Sequence, residues 1–540
     1  MSPALFQRVI VLGLTALASA QATGPVIKSP NVSYVGVTNS TLELDYFLGV
    51  PYGKPPVGSL RFKPPQAWSP TNSSQVVDAT TYGASCPQGN EQDLPAESED
   101  CLSLNIWKPT NVTGKIPVLV WLYGGGFYFG NTLLYPGDMI VNASIVMKKP
   151  VIYVSPNYRT GFFGFPPGSA AAKAGALNLG LKDQRLALEW VQKNIGYFGG
   201  DPTKVTLFGQ SAGAISTSYQ ALYKGGNTGN VFRGMILQSG SPSSVNVPPA
   251  NDPVQEAAYK FVVNATGCAG SSNTFECVRS APYDVLYKAN QDVIKTPANS
   301  TGVDQGPVVL GPVLAPGDVF LPELPSVSVH AGRFAKVPFL SGSQLDEGTV
   351  FVNGEQPQTE QDMVNWLAAQ LPGLYFGISN VTAVKELLKF YPTDPAAGSP
   401  LVSVVGDLIF QASRRDFTRT ATKFGVKAWS YMFTEVVNPV GTKRYGVYHS
   451  GDLAYVFQAV HTMPDIPQPL VTLEQTVADY WFDFAYNLDP NKGASVPRPY
   501  WPIYGSNATT LQLASNITLI KDDFRKGALE YIINSPSLYN

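Results

Sequence analysis

The chain has 540 residues and a formal net charge of −2, with 37 basic against 39 acidic side chains. Charged residues make up 14% of the sequence and hydrophobic residues 44%, so the chain can bury a large core and is not a disordered polypeptide. The near-neutral balance, without a basic patch, also argues against a protein that binds nucleic acid.

The first 20 residues predict a secretory signal peptide. Arg8 supplies a positive start, residues 9–17 form an apolar run too short to span a bilayer, and Ala18-Ser19-Ala20 is a small-residue cleavage site. The alternative is a buried N-terminal strand. No later stretch has the length of a membrane-spanning segment, so residues 21–540 are expected to form one secreted domain without a membrane span.

The cysteines and the N-glycosylation sequons are typical of a secreted protein. The four cysteines form an even set with short spacings, which predicts the disulfide bonds Cys86–Cys101 and Cys268–Cys277 in an oxidising compartment. Asn-x-Ser/Thr sequons, ten in all, predict a glycoprotein of a eukaryotic secretory pathway. They lie at Asn31, Asn39, Asn72, Asn111, Asn142, Asn264, Asn299, Asn380, Asn507 and Asn516.

Apolar runs that read as strands alternate with longer helical patterns. In chain order the strands are predicted at Pro117–Leu122, Val151–Val154, Lys204–Phe208, Gly234–Gln238, Val337–Leu340 and Trp429–Phe433, and the helices at Asn178–Ile195 and from Ser211 onward. Fully apolar strands between helices predict a mostly parallel sheet that is covered on both faces, hence an α/β fold. The Pro-rich segments 245–335 and 350–425 are predicted to be insertions that form a cap above the sheet.

Gly209-Gln210-Ser211-Ala212-Gly213 fits the pattern Gly-x-Ser-x-Gly, a sharp turn from strand to helix that exposes a serine hydroxyl. The alternative is a serine in an ordinary turn between glycines. The motif follows an apolar strand and opens a helix, which favours Ser211 as a nucleophile.

Residues 198–213, which contain this motif, resemble the serine signature of the type-B carboxylesterase/lipase family. Residues 99–105 (Glu-Asp-Cys-Leu-Ser-Leu-Asn) are similar to the second signature of that family, and residues 49–58, followed by Leu60-Arg61-Phe62, are similar to its amino-terminal pattern. The resemblance runs from about residue 25 to near the end of the chain. It implies the α/β-hydrolase fold, with a catalytic serine at one edge of a central sheet.

A serine nucleophile needs a base and an acid that orients the base. His449 lies in a segment similar to the catalytic histidine loop of the family, whereas His330 and His461 are expected to be structural or on the surface. The segment at 345–349 resembles the Asp-Glu-Gly segment whose glutamate is the triad acid. This implies Glu347, with Asp346 as the main rival. The order serine, acid, histidine is that of α/β-hydrolases.

An oxyanion hole needs backbone N–H donors that no side chain obstructs. The glycines at 124–126 follow a predicted strand and fit this requirement, and the resemblance implies Gly125 and Gly126 as two donors. Ala212, immediately after the nucleophile, supplies the third. The aromatic cluster Phe127-Tyr128-Phe129 that follows suits the wall of a hydrophobic pocket.

The Cys86–Cys101 loop bears on the substrate. In the lipases of the family the corresponding loop is longer and carries an amphipathic lid, and in the cholinesterases it contributes an aromatic platform for choline. Here fourteen residues lie between the cysteines, five of them acidic and none of them Trp. The loop is therefore expected neither to cover a long apolar groove nor to bind choline by a cation–π contact.

Together these features predict a secreted serine carboxylic-ester hydrolase that acts on small-molecule esters of short or medium chain, or on aryl esters, without a metal or organic cofactor. A feruloyl-type esterase and a lipase or sterol esterase remain alternatives. A non-catalytic adhesion protein on the same fold is disfavoured, because such a protein has no reason to keep the whole catalytic set. The oligomeric state is left open.

Overall fold

The computed structural model describes residues 24–72, 74–88, 96–111, 113–295, 310–352, 359–370, 381–391, 400–436, 445–535 and 538. The predicted signal peptide (1–20), the sequons at Asn299 and Asn380, and residues 89–95 of the Cys86–Cys101 loop lie outside the described residues. The other eight sequon asparagines are exposed or half-buried, so each of them reaches the surface.

A sheet of eleven strands dominates the described structure, beside a small sheet of three. In chain order the strands are β1 (Val26–Lys28), β2 (Val32–Val35), β3 (Val37–Asn39), β4 (Leu44–Pro51), β5 (Gln75–Asp78), β6 (Ser103–Pro109), β7 (Ile116–Leu122), β8 (Ile152–Pro156), β9 (Gly200–Gln210), β10 (Gly234–Gln238), β11 (Phe339–Gln344), β12 (Ala428–Phe433), β13 (Thr509–Leu513) and β14 (Thr518–Lys521).

The large sheet has the strand order β14-β13-β12-β11-β10-β9-β7-β8-β6-β4-β3, and the small sheet has the order β1-β2-β5. Seven consecutive strands, from β13 to β8, run parallel, whereas the strands at both margins pair antiparallel. β7, β8 and β10 are buried at every position, because a parallel sheet has helices on both faces. The predicted α/β-hydrolase architecture is confirmed.

Helices connect the strands and form the outer layers. In chain order they are α1 (Asp138–Val146), α2 (Gly161–Gly164), α3 (Ser169–Lys173), α4 (Leu179–Asn194), α5 (Ala212–Gly226), α6 (Pro253–Ala265), α7 (Thr274–Ser280), α8 (Tyr283–Lys295), α9 (Pro325–His330), α10 (Glu360–Gln370), α11 (Val381–Leu388), α12 (Pro400–Gly406), α13 (Ala412–Lys423), α14 (Leu453–Val456), α15 (Gln468–Asn487) and α16 (Lys526–Ile533). A π-helix, Asp407–Gln411, joins α12 to α13.

Alternate residues of each central strand feed two separate cores. On β7, Val118 and Val120 point into one core, which α4, α5 and α13 cover. Leu119 and Trp121 point into the other core, which α1 and α15 cover. This division follows from the two-residue period of a strand, and it explains why the sequence of β7 is apolar throughout.

Both predicted insertions are shorter than predicted. Val329 of α9 and Phe334 pack into a core on one face of the sheet, and α13, predicted to be part of the second insertion, packs on β11 and β12. Parallel strands need a connection that crosses over and packs on the sheet. The carboxyl end of each segment, 320–335 and 412–423, is therefore this connection and not part of a cap.

The remaining parts of the two segments bury apolar clusters of their own. α6, α7 and α8 pack around Phe62 and Phe162, and α10, α11 and α12 pack with the π-helix and α16.

Both disulfide bonds are formed. Cys268–Cys277 joins the end of α6 to α7, with a Cα–Cα distance of 5.7 Å, and Cys86–Cys101 has one of 5.1 Å.

A buried ion pair attaches the C-terminal segment to α13. Asp522, which follows β14, accepts hydrogen bonds from Arg414 at 2.7 and 3.0 Å and from Arg415 at 3.1 Å. Although burial alone would raise the pKa of the Asp522 carboxyl, the two guanidinium groups hold that pKa well below its usual range. The carboxylate is therefore charged in the folded protein, and both arginines depend on it.

We expect Asp522→Asn to lower the free energy of unfolding by about 3–5 kcal/mol, because it leaves two buried cations without their anion. Asp523→Asn, an exposed neighbour, should change it by less than about 0.5 kcal/mol. In the parent protein this stabilisation is complete above the unfolded pKa of about 3.9 and is lost as the pH falls towards the lower folded pKa. Urea unfolding of both variants between pH 3 and 7, at about one-unit steps, measures these differences; equal stability of the two variants would contradict the prediction.

Candidate active site

Ser211 lies at the turn between the central strand β9 and α5. Its backbone has φ 56° and ψ −128°, a conformation that a residue with a side chain rarely adopts. Its N–H donates to the carbonyl of Gln238 at the end of β10, at 2.9 Å. A Cβ at residue 213 would lie 1.9 Å from the Leu122 carbonyl oxygen, and a Cβ at residue 209 would lie 2.5 Å from the backbone of residue 213. Both glycines of the motif are thus required by the close approach of β7, β9 and α5.

Glu347 and His449 form a buried pair. Glu347 opens a short 3-10 helix just after β11, and its Oε2 lies 2.5 Å from Nδ1 of His449. Its other oxygen, Oε1, accepts the N–H of Gln344 at 2.7 Å. The side chains of Glu347 and His449 are 0% and 7% exposed. Because a carboxylate only accepts hydrogen bonds, the neutral imidazole that fits this contact carries its proton on Nδ1 and presents Nε2 as an acceptor.

Asp346, the rival acid, holds the histidine loop instead. Its Oδ2 accepts the N–H of Val447 at 2.8 Å, and its own N–H donates to the carbonyl of the same residue at 3.0 Å. A Cβ at residue 446 would lie 2.3 Å from that carboxylate oxygen, so glycine is needed there. Asp346 thus fixes the backbone two residues before His449 and does not contact the imidazole.

Gln210, which sequence reasoning did not single out, faces the basic nitrogen. Its Nε2 lies 3.0 Å from Nε2 of His449 and 2.8 Å from Oγ of Ser450. The structure describes no hydrogen bond from the Ser211 hydroxyl to any residue in its described ranges, so the amide of Gln210 occupies the lone pair that the serine would use. The only signal in the sequence for this contact was the place of Gln210 within the Gly-x-Ser-x-Gly motif, directly before Ser211.

Two aromatic side chains also contact His449. The ring of Phe410 stacks on the imidazole with centroids 4.4 Å apart and an angle of 24° between the planes. The ring of Phe351 lies 5.2 Å away at 54°. Phe351 follows Glu347 by one helical turn, but nothing in the sequence relates Phe410 to the site, because its position depends on the path of the π-helix.

A second buried carboxyl group, Asp452, lies behind the histidine. It accepts hydrogen bonds from Gln238 Nε2 and from the Tyr431 hydroxyl, both at 3.0 Å. Burial, with a smaller contribution from the negative charge of Glu347, raises the pKa of Asp452 to about 6. Two carboxyl groups therefore lie close to one imidazole in an enclosed site. Sequence reasoning missed Asp452 because a single acidic residue is usually a solvated surface charge.

The predicted oxyanion donors lie beside Ser211, the predicted nucleophile. A Cβ at residue 124 would lie 3.0 Å from the Cβ of Ser211, which places the glycine loop against the turn. Gly125 and Gly126 both have positive φ, at 118° and 59°. Within the described ranges, no residue accepts a hydrogen bond from the N–H of Gly125, Gly126 or Ala212. These three donors are free for an anion.

The described ends of the Cys86–Cys101 loop attach to the same glycine-rich segment. Gln88 accepts the N–H of Gly130 at 2.7 Å and donates to its carbonyl at 3.3 Å. Two of the five acidic residues in the loop are turned inward. Glu99 forms a bidentate pair with Arg61, with both distances 2.6 Å, and Glu97 accepts the N–H of Gln88 at 3.0 Å.

The other two histidines lie in separate contacts. His330 lies 2.9 Å from Asp416, and this hydrogen bond raises the pKa of the imidazole, while His461 lies 2.8 Å from Glu474. Neither contacts Ser211 or Glu347. Within the described ranges, no three His, Cys, Asp or Glu side chains group as a metal site.

The sequence model of the carboxylesterase family matches residues 33–532. The chain belongs to this family. This carboxylesterase is 37% identical to secreted lipase 1 of Botryotinia fuckeliana, over 96% of this chain and 94% of that protein. It is 34% identical to the secreted triacylglycerol lipase LIP1 of Gibberella zeae, over 95% of this chain and 90% of that protein.

Solved structures agree with this assignment. The crystal structure of Aspergillus niger EstA superposes with a TM-score of 0.81 at 26% identity, and the match covers 95% of this chain and 99% of that one. The carboxylesterase is therefore a carboxylic-ester hydrolase with the α/β-hydrolase fold. Among the residues that the structure describes, no helix is long and apolar enough to cross a membrane.

The geometry predicts different effects for the two neighbouring acids of this carboxylesterase. In Glu347→Gln, the new amide oxygen retains the hydrogen bond from the Gln344 N–H, so the amide nitrogen faces Nδ1 of His449. Because that nitrogen is a donor, Nδ1 must accept and the imidazole must carry its proton on Nε2. That tautomer cannot accept a proton from Ser211, and we expect kcat to fall by about 10³–10⁴-fold.

The matched control is Asp346→Asn, whose side-chain oxygen can still accept the Val447 N–H. We expect kcat to fall by less than about tenfold, because only the neighbouring loop is perturbed. Steady-state rates on a soluble ester measure both variants. The opposite ranking would assign the acid to Asp346.

Proposed function

We propose that this carboxylesterase hydrolyses carboxylic esters through an acyl-enzyme formed on Ser211. The observation that carries the proposal is the buried Glu347–His449 pair, because it leaves a basic Nε2 directed at the turn that carries Ser211. As substrate enters, the Ser211 hydroxyl replaces the Gln210 amide at Nε2. Hydrogen bonds of this kind commonly form only in the complex with substrate.

The reaction has two halves. His449 takes the proton of Ser211 as the hydroxyl oxygen attacks the ester carbonyl carbon, and Glu347 stabilises the imidazolium that results. The N–H groups of Gly125, Gly126 and Ala212 donate to the oxyanion, the task for which their lack of other acceptors suits them. His449 then gives the proton to the leaving alcohol, and a water molecule repeats the same steps on the acyl group.

For the substrate class we propose dissolved esters of short or medium acyl chain, or aryl esters. With fourteen residues between its cysteines, the Cys86–Cys101 loop offers only two aliphatic side chains, Leu94 and Ala96. At about 25 cal/mol per Å² of buried apolar area, so small a segment gains little from a lipid surface. The inward pairing of Glu97 and Glu99 also supports a fixed loop base and not a mobile flap.

A triacylglycerol lipase is the second candidate. The observation that favours it is the similarity to a protein named as a lipase in Botryotinia fuckeliana and to one named as a triacylglycerol lipase in Gibberella zeae, at 37% and 34% identity. The names of both relatives also include secretion, which supports export of this chain, together with the apolar N-terminal segment and the two disulfide bonds. A lipase of this fold would need another segment as its lid.

We expect Ser211→Ala to fold normally and to lose nearly all turnover, because no other group forms the acyl-enzyme. A fluorophosphonate should add one adduct to the parent protein, on the peptide that contains Ser211, and none to the variant. Ser169→Ala, an exposed serine, serves as the control and should keep both activity and labelling. An adduct that maps to a different serine would remove Ser211 from the mechanism.

The two candidate substrates differ in kinetics at an interface. We expect smooth saturation on p-nitrophenyl butyrate and on tributyrin, without a jump in rate as tributyrin passes its solubility limit. The physical reason is the lack of an apolar flap in the Cys86–Cys101 loop that an interface could open. Steep activation at that limit, together with faster turnover of emulsified triolein than of dissolved esters, would instead establish the lipase.

A further inference from the structure

The π-helix at Asp407–Gln411 places an aromatic ring on the catalytic imidazole. A π-helical turn carries one more residue than an α-helical turn and is frequent at functional sites. Phe410 lies within this turn and is 2% exposed. Its ring is nearly parallel to that of His449, at 4.4 Å and 24°, so it covers one face of the imidazole.

Both ends of the π-helix are fixed. At one end, Asp407 accepts a hydrogen bond from the Tyr391 hydroxyl at 2.6 Å and pairs with Arg525 at 3.3 Å. At the other end, Gln411 accepts from the hydroxyl of Ser343 and donates to the carbonyl of Gln344, both at 2.7 Å. The second pair belongs to β11, the strand that leads into Glu347.

The turn that holds Glu347 also packs against α12, the helix that leads into the π-helix. A Cβ at residue 348 would lie 1.9 Å from the carbonyl oxygen of Val402 in α12, so the two backbones are in close contact. Phe351, on the same turn as Glu347, packs on Phe410 with ring centroids 5.8 Å apart. The acid and the two rings therefore form one rigid unit around the imidazole.

We propose that Phe410 is a positioning residue for the reaction of His449. Its ring keeps the imidazole plane in line with Glu347 on one side and with Ser211 on the other. The electron-rich face of the ring also stabilises the imidazolium that forms when His449 takes the serine proton, an interaction that the neutral resting imidazole makes only weakly. The proposal rests on the proposed Ser211 mechanism, and it assigns Phe410 to the chemical step and not to acyl recognition.

The test compares Phe410→Leu, which removes the ring face, with Phe410→Tyr, which keeps it. Phe417→Leu is the matched control. Phe417 is also buried and stacks on Phe339 at 4.9 Å, but it belongs to the core that α4, α5 and α13 cover. We would measure kcat and KM on p-nitrophenyl acetate and on p-nitrophenyl decanoate, the rate of fluorophosphonate labelling, and Tm.

For Phe410→Leu we expect kcat to fall at least about tenfold on both esters, KM to change less than about threefold, and labelling to slow by a similar factor. Phe410→Tyr should keep more than about half of the parent kcat. Phe417→Leu should lower Tm and leave kcat unchanged. If Phe410→Leu does not fold, Phe410→Met, which preserves volume without a ring, takes its place.

A different pattern would overturn the proposal. If the leucine variant keeps kcat on the acetate ester and loses activity only on the decanoate ester through KM, the ring is a wall of the acyl site. A failure of the Ser211 mechanism itself is distinguishable, because Ser211→Ala would then keep its activity whatever the Phe410 variants do.

Discussion

The carbonyl oxygen of Leu122 at the end of β7 leaves no space for a side chain at residue 213, and this contact fixes the geometry of the turn that carries Ser211. Because β7, β9 and α5 meet so closely, Ser211 is held at positive φ, a strain that typically costs about 1–3 kcal/mol and that the surrounding packing offsets. The residues at 124 and 240 press on the same turn, where a Cβ would lie 3.0 Å from the Ser211 Cβ and 2.7 Å from its carbonyl oxygen. One close approach therefore places the half-buried Ser211 beside a loop whose N–H groups at 125 and 126 have no acceptor among the described residues.

Parallel strands bring the remaining groups to this turn. β7, β9 and β11 end at one edge of the sheet, so the glycine loop, Ser211 and Glu347 meet although they are far apart in the chain. His449 comes from a long connection after β12, and the pairing of Asp346 with Val447 and Tyr448 ties that connection to the end of β11. The segments that carry Glu347 and His449 are thus joined twice, once through the backbone and once through the Glu347–His449 hydrogen bond.

How far the sequence predicted this arrangement depends on how local each cause is. The glycines around Ser211 obey a steric rule that can be read from five consecutive residues. Glu347, His449 and the oxyanion loop were instead predicted from the resemblance to the family. The crossover segments at 320–335 and 412–423 lie in the two Pro-rich stretches that were predicted to form the cap. Their apolar helix faces have the same pattern whether they pack on a sheet or on other helices. β11 was predicted at Val337–Leu340 but runs from Phe339 to Gln344. Its polar end at 341–344 is held by pairing with β12, and at 341–342 also with β10, and not by apolar side chains. Asp452 and Phe410 follow only from tertiary structure.

Hydrogen bonding separates the roles of the two carboxyl groups near His449. Glu347 accepts from the Gln344 N–H and faces Nδ1 of the His449 imidazole. Asp452 is instead held by two neutral donors, and burial favours its protonated form. The imidazole of His449 contacts residues at the strand ends of the central sheet and residues of an outer helical segment. Gln210 is the last residue of β9 and Glu347 follows β11, whereas Phe410 belongs to the helical segment at 400–411, which builds its core with α10, α11 and α16. If Phe410 positions the imidazole as proposed, changes in that outer segment alter the orientation of His449 while Ser211, Glu347 and His449 stay the same, and the chemical step then depends on helices outside the sheet.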